Sequence, residues 1–166
     1  ADCVRLLLDT GTKVDAQERY GATPLFFACQ AGQLECAQLL IAHGAQPQGV
    51  SIGCGYGQRN DSEDPLEYFT TGETCLRVAC RAAQPELVRL LLSSGSSIFE
   101  ELEDGSSPYH HLCKLDRPIS AALAPVRGAE PCLQLLLSAS STTDEAILDR
   151  KDSYGNTALH LACCHA

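Results

Sequence analysis

Four copies of one short phrase recur along this chain: Gly21-Ala22-Thr23-Pro24-Leu25, Gly72-Glu73-Thr74-Cys75-Leu76, Gly105-Ser106-Ser107-Pro108-Tyr109 and Gly155-Asn156-Thr157-Ala158-Leu159. Apolar triplets alternate with them: Leu6-Leu7-Leu8, Leu39-Leu40-Ile41, Leu90-Leu91-Leu92 and Leu135-Leu136-Leu137. Leu8 to Thr23 and Leu92 to Ser107 are both 15 residues, and Thr23 to Leu39 and Thr74 to Leu90 are both 16. Thr74 to Ser107 is 33. A fixed period of this size means stacked units whose apolar faces cover one another, and a stack offers a surface rather than a pocket.

The punctuation agrees with the period. Thr or Ser ahead of a helical run satisfies amides of the first turn, and Pro at the first helical position gives up no bond. Gly11, Gly44 and Gly95 follow the triplets at one shared offset, where a left-handed residue ends a helix at little cost. The spacing therefore predicts pairs of short helices.

These residues resemble the ankyrin-repeat family, whose signature Thr-Pro-Leu-His-x-Ala opens a helix-turn-helix unit of about 33 residues. The matching stretches are Thr23-Pro24-Leu25-Phe26-Phe27-Ala28, Thr74-Cys75-Leu76-Arg77-Val78-Ala79, Ser107-Pro108-Tyr109-His110 and Thr157-Ala158-Leu159-His160-Leu161-Ala162. The resemblance implies an all-α solenoid of stacked helix-turn-helix units with β-hairpin-like loops over residues 1–166.

The register divides the chain into a partial repeat at 1–16, a repeat at 17–49, an insertion at 50–67 and a repeat at 68–100. A repeat at 101–145 follows, with insertions at about 115–127 and 140–145, and then a partial repeat at 146–166. The insertions come from the counts: Thr23 to Thr74 is 51 residues, 18 beyond one period, and Ser107 to Thr157 is 50, 17 beyond it. Projected back from Thr23, the first unit keeps only its second helix, Asp2 to Thr10. The last lacks its second helix, so a fragment of a longer array is expected.

Composition narrows the partners. The chain carries 21 acidic and 12 basic residues, a net charge of −9, which argues against nucleic acid or an anionic membrane, since both need a basic footprint. No apolar run approaches membrane-spanning length, and residues 1–20 lack signal-peptide architecture. A cytoplasmic or nuclear setting is expected. Aromatic residues are only 5% and Trp and Met are absent, as suits thin helices packed by Leu and Ala.

Ten cysteines invite a disulfide or zinc reading, which the register largely dissolves. Cys29, Cys80, Cys113 and Cys163 all fall six residues after the Thr/Ser position, and Cys3, Cys36 and Cys132 share one slot on the second helix. Free Cys behaves there as a small core hydrophobe. Cys75 replaces the helix-opening Pro and is expected to be half exposed; Cys54 lies in the first insertion. Packed helices are about 8–10 Å apart, too far for a bridge between equivalent cysteines of neighbouring repeats, whereas pairs within a repeat, such as Cys29 with Cys36, lie nearer and stay open as an alternative.

Other chemistry fails on spacing. His110, His111 and Cys113, and His160, Cys163, Cys164 and His165, lack the two separated ligand pairs of a zinc site. His110 and His160 are the family's His, which the resemblance implies bonds backbone at the turn. Gly53-Cys54-Gly55-Tyr56-Gly57 has Gln58 where a phosphate fingerprint needs Gly, and Asn60-Asp61-Ser62-Glu63-Asp64 follows with acid. Asn60-Asp61-Ser62 is also a glycosylation triplet, relevant only to a secreted chain. No nucleophile and base converge, so no catalysis, metal or cofactor is expected.

The family resemblance implies partner recognition through the hairpin tips and the exposed face of the first helix. Carried over by register, the tip residues are Arg19, Tyr20, Thr71, Glu73, Glu103, Asp104, Ser153, Tyr154 and Asn156, and the helix-face residues are Gln30, Arg81 and Lys114. Exposed aromatic and Arg side chains are the strongest anchors in such surfaces. Glu73, Glu103 and Asp104 predict an acidic centre and a protein or peptide partner with basic segments, bound by a monomeric array.

Overall fold

The computed structural model describes residues 1–19, 21–48, 50–51, 73–98, 105–114, 129–140 and 148–165. The segments assigned to insertions fall almost wholly outside these residues, as do Tyr20, Cys54, Thr71, Glu103 and Asp104.

Two inner-row helices start at a side-chain cap that the sequence supplies. The helix α1 spans Asp2–Asp9, α2 Pro24–Gln30 and α3 Leu34–Ala42. After a strand β1 at Val50–Ser51 and β2 at Glu73–Thr74 come α4 Cys75–Arg81 and α5 Pro85–Ser93. Then follow α6 Pro108–Lys114, α7 Ala129–Ala139 and α8 Ala158–His165. Thr23 and Thr74 each sit in extended backbone and accept the third amide of the helix, from Phe26 and Arg77, at 3.3 Å. That is the arrangement an N-cap requires.

The second helices end alike. Gly44 and Gly95 take φ of 90° and 89°, and the residue after each donates back to the chain, Ala45 to Leu40 O and Ser96 to Leu91 O, both at 3.0 Å. This closure uses a left-handed residue that glycine supplies without strain.

Two layers result. An inner row runs α2, α4, α6, α8, and an outer row runs α1, α3, α5, α7; α2 pairs with α3, α4 with α5 and α6 with α7. The strands β1 and β2 pair antiparallel, Val50 opposite Thr74 and Ser51 opposite Glu73. The ends of the segment between them are thereby held side by side at the second tip.

The core lies between the rows. Leu25, Leu40, Leu76, Leu87, Leu91, Leu112 and Leu136 are buried within it, each contributing about 2 kcal/mol of apolar transfer. Cys29, Cys80, Cys113 and Cys132 are buried in the same cluster.

Burial of the cysteines follows the number of neighbouring layers rather than the slot alone. Cys132 is buried, Cys36 half-buried and Cys3 exposed, although all three share one slot. Among the described elements α1 packs chiefly on α3, which leaves Cys3 uncovered. Cys163 is likewise exposed, against expectation, because α8 packs on α6 without a second helix over it among the described residues. Cys75 errs the other way. It is fully buried, since α4 is covered by α2 on one side and α6 on the other.

Candidate partner-binding face

The tips precede the inner helices, and an acidic residue ties two of them. Asp152 accepts the Tyr154 and Asn156 amides on Oδ1 at 3.0 and 2.9 Å, and its own N–H donates to Asn156 O at 2.8 Å. Five residues before Thr23, Glu18 does the same for its tip: Oε1 accepts the Ala22 amide at 3.1 Å, and its N–H donates to Ala22 O at 3.0 Å. The two acids occupy one register position. Such a side chain closes the turn on itself, so Tyr154, 84% exposed, stands on a fixed turn.

At two junctions neighbouring tips are then joined by the residue three after the cap. In α6 this is His110. Its Nδ1 accepts from Ser107, with Oγ at 2.8 Å and the backbone N–H at 3.2 Å, so Nε2 carries the proton and donates to Asn156 O at 3.0 Å. The expected backbone bond of this His is present. In α4 the same position holds Arg77. It is wholly buried and donates to Ser106 O at 2.5 Å and Ser106 Oγ at 2.8 Å. Ser106 and Asn156 both stand immediately before their caps, so a cation makes the bond that His makes elsewhere.

Beside Arg77 lies the largest correction to the sequence reading. Glu73, expected as an exposed acid at a tip, is 0% exposed. Its Oε1 stands 2.8 Å from Arg81 Nη1. The contact combines opposite charge with a side-chain hydrogen bond from the guanidinium. Burial pushes the Glu73 carboxyl above its ordinary value, and the charges of Arg81 and Arg77 offset part of that. The reason for its burial is its place: Ala22 and Ser106, the equivalents before two of the other caps, are buried too, and Asn156 before the last is half-buried. Glu73 therefore adds no acidic surface.

The remaining candidates divide clearly. Arg19, Ser153 and Tyr154 are exposed; Gln30, Arg81 and Asn156 are half-buried. Lys114 ends α6. Arg19 and Gln30 belong to the second unit and Ser153, Tyr154 and Asn156 to the last, with Arg81 between, so the described candidates spread along the array and do not converge. Sequence reasoning missed Glu18, Arg77, His111 and Asp152. The signal for three of them was positional: acids five before two caps, and a basic residue in the slot of His110 and His160.

No helix among the described residues is long and apolar enough to cross a membrane.

Fold and tips together define a helix-pair solenoid with linked hairpin tips. The family model for ankyrin repeats in three copies matches residues 1–51, and the single ankyrin repeat matches 71–101. The chain is an ankyrin-repeat protein. It is 29% identical over 139 residues to human ankyrin repeat and SOCS box protein 16, covering 84% of this chain and 23% of that one. Over 112 residues it is 28% identical to the Caenorhabditis elegans homolog of transient receptor potential cation channel subfamily A member 1, covering 68% and 8%. A third relative, NF-kappa-B inhibitor cactus of Drosophila melanogaster, is 27% identical over 118 residues, covering 63% and 24%. The chain thus spans under a quarter of these relatives' lengths. Repeats of this family imply protein–protein interaction.

Proposed function

We propose that this chain is an adaptor scaffold that binds a partner polypeptide along its inner row and hairpin tips, without chemistry of its own. The observation that carries the reading is the chain of tip-to-tip bonds: Arg77 to Ser106 and His110 to Asn156 hold successive tips in fixed relation. A preorganised row loses less freedom on binding. Arg19, Arg81 and Tyr154 are the anchors on it, joined by Gln30, Ser153 and Asn156.

The partner is a segment with basic residues, which the net charge of −9 favours by long-range attraction. Buried, unbridged thiols such as Cys29 and Cys80 suit a reducing cytoplasmic or nuclear setting. A second reading is favoured by the relatives, of which a channel subunit and a SOCS box protein are two. In it, the array is the regulatory or substrate-receiving part of a larger chain.

Selection of peptides from a random library against the immobilised chain tests the scaffold reading. Selected peptides should be rich in Lys and Arg and lose at least about tenfold in affinity, about 1.4 kcal/mol, to a variant carrying Arg19→Ala, Arg81→Ala and Tyr154→Ala. They should keep it for Glu86→Ala with Arg89→Ala on the outer row. Equal binding to both variants defeats the assignment of the face.

A further inference from the structure

The junction between α4 and α6 differs from its neighbour in one chemical respect: the residue spanning it is a permanent cation. The buried guanidinium of Arg77 meets Ser106 and also contacts His111 Nε2 through Nη2, with Ser106 Oγ 3.4 Å from the same ring nitrogen. A guanidinium offers only N–H donors. The contact is a hydrogen bond only while His111 Nε2 keeps its lone pair, that is, while the ring is neutral with its proton on Nδ1. A proton on Nε2 sets N–H against N–H and cation against cation, at a site where Arg77 and Ser106 are shut off from water and charge repulsion is poorly screened.

We propose that the α4–α6 junction is an acid-sensitive latch, in which neutral His111 holds Arg77 on Ser106 and protonated His111 drives the two apart. The geometry supplies both halves of a switch. One proton, taken from solvent, removes an acceptor and adds a repulsion, and the bond lost is the one that ties the tip at Glu73–Thr74 to the tip at Ser106. Imidazole is the side chain whose ordinary range, ~6.5, lies near neutrality.

Other titratable groups stand on the elements packed against α6. Glu73, ahead of α4, faces Arg81 and acts on Arg77. Its protonation relieves a buried charge and favours the packed state, so its sign opposes that of His111. From α7 come buried Cys132 and exposed Glu130, which accepts from Gln134 at 3.3 Å. From α8 come His160, bonded to Thr157 at 2.8 Å, and exposed Cys163 and Cys164. On α6 itself stand Cys113, Lys114 and His110, the last committed to Ser107 and Asn156.

Amide hydrogen exchange on the whole chain, corrected for intrinsic rates, tests this between about pH 7.5 and about pH 5.5, a range that brackets an ordinary imidazole. Protection at Leu112 and Cys113 should fall by about tenfold relative to Leu39 and Leu40 in α3. His111→Gln keeps an acceptor for Arg77 and gains no charge, so its ratio should stay flat. Glu73→Gln should retain the fall. A flat ratio in the native chain, an equal fall in His111→Gln, or a fall abolished by Glu73→Gln overturns the latch. Should His111→Gln not fold, long-range proton–nitrogen correlation on the native ring decides: Nε2 must be unprotonated at neutral pH, and a proton found there overturns the proposal.

Discussion

His110 Nε2 donates to the backbone carbonyl of Asn156, 46 residues further on, at 3.0 Å. The same carbonyl accepts the Asp152 amide at 2.8 Å, so one oxygen closes its own tip and receives the tip before it. His110→Ala removes the inter-repeat donor and leaves Ser107 without its Nδ1 partner. Loss of about 2 kcal/mol is expected, read as a lower urea midpoint at unchanged slope. His110→Phe copies what Phe26 does in α2, filling space without a donor, and should recover part of the packing and none of the bond.

Ala83 is a strained link. It has φ of 49° at the turn between α4 and α5, where the equivalent Gly32 has 66°. A Cβ in this region costs roughly 1–2 kcal/mol, partly offset by the extra freedom glycine has when unfolded. Ala83→Gly should therefore stabilise the chain by about 0.5–1 kcal/mol. Gly32→Ala should destabilise it, because the backbone is strained and a Cβ would also meet Gln84 Nε2 at 3.2 Å. Opposite shifts in thermal midpoint check the pair.

The helix pairs were legible because their signals are local. Thr23, Thr74, Gly44 and Gly95 act on amides and dihedrals within a few residues of themselves. The environment of a side chain depends on what is stacked beside it, and that was harder to read. Glu73 looked like tip surface from its position, yet Ala22 and Ser106 at the same place are small, and small residues in one slot are a sign of burial. Arg77 could have been found from the slot of His110 and His160. Cys163 went the other way: its slot is a core slot, but no second helix lies over it among the described residues. Residues such as Glu103 and Asp104 stand outside the described structure, so their expected role stays with the proposed face.

Glu73 has a definite pH signature. Burial raises its carboxyl above the ordinary glutamate value of about 4.5, so the folded chain binds this proton more tightly than the unfolded one. Stability from Glu73 is thus fully present below about pH 4.5 and is lost as pH rises through the higher folded value. Glu73→Gln should remove that slope. Chemical denaturation of both chains from mildly acidic to neutral pH should show the native chain losing ground to the variant as pH rises. Parallel curves would mean that Arg81 and Arg77 neutralise the cost of burial.

Thiol reactivity should map the layers. Burial raises the Cys80 thiol, with Cys132 adding to the effect, and lifts Cys132 to about 11. Thiols held protonated and covered are poor nucleophiles. A short alkylation pulse at mildly alkaline pH, read by mass spectrometry, should label Cys3, Cys163 and Cys164 first and Cys36 later. Cys29, Cys75, Cys80, Cys113 and Cys132 should react only with denaturant present.

Asp152 offers the sharpest separation of structure from recognition. Only 6% exposed, it holds the amides of Tyr154 and Asn156 on one oxygen. Asp152→Ala strands both amides, at a cost of about 1–3 kcal/mol, and frees the turn that carries Tyr154. Tyr154→Ala touches nothing in the core and should leave the urea midpoint within about 0.5 kcal/mol. For peptides that bind the proposed face, both changes should weaken affinity, Tyr154→Ala by a lost contact and Asp152→Ala by a lost orientation. Asp152→Asn keeps the accepting oxygen and should restore binding even if some stability is lost. If Asp152→Ala lowers stability while binding is untouched, the tip serves the stack alone and the anchor lies elsewhere on the inner row.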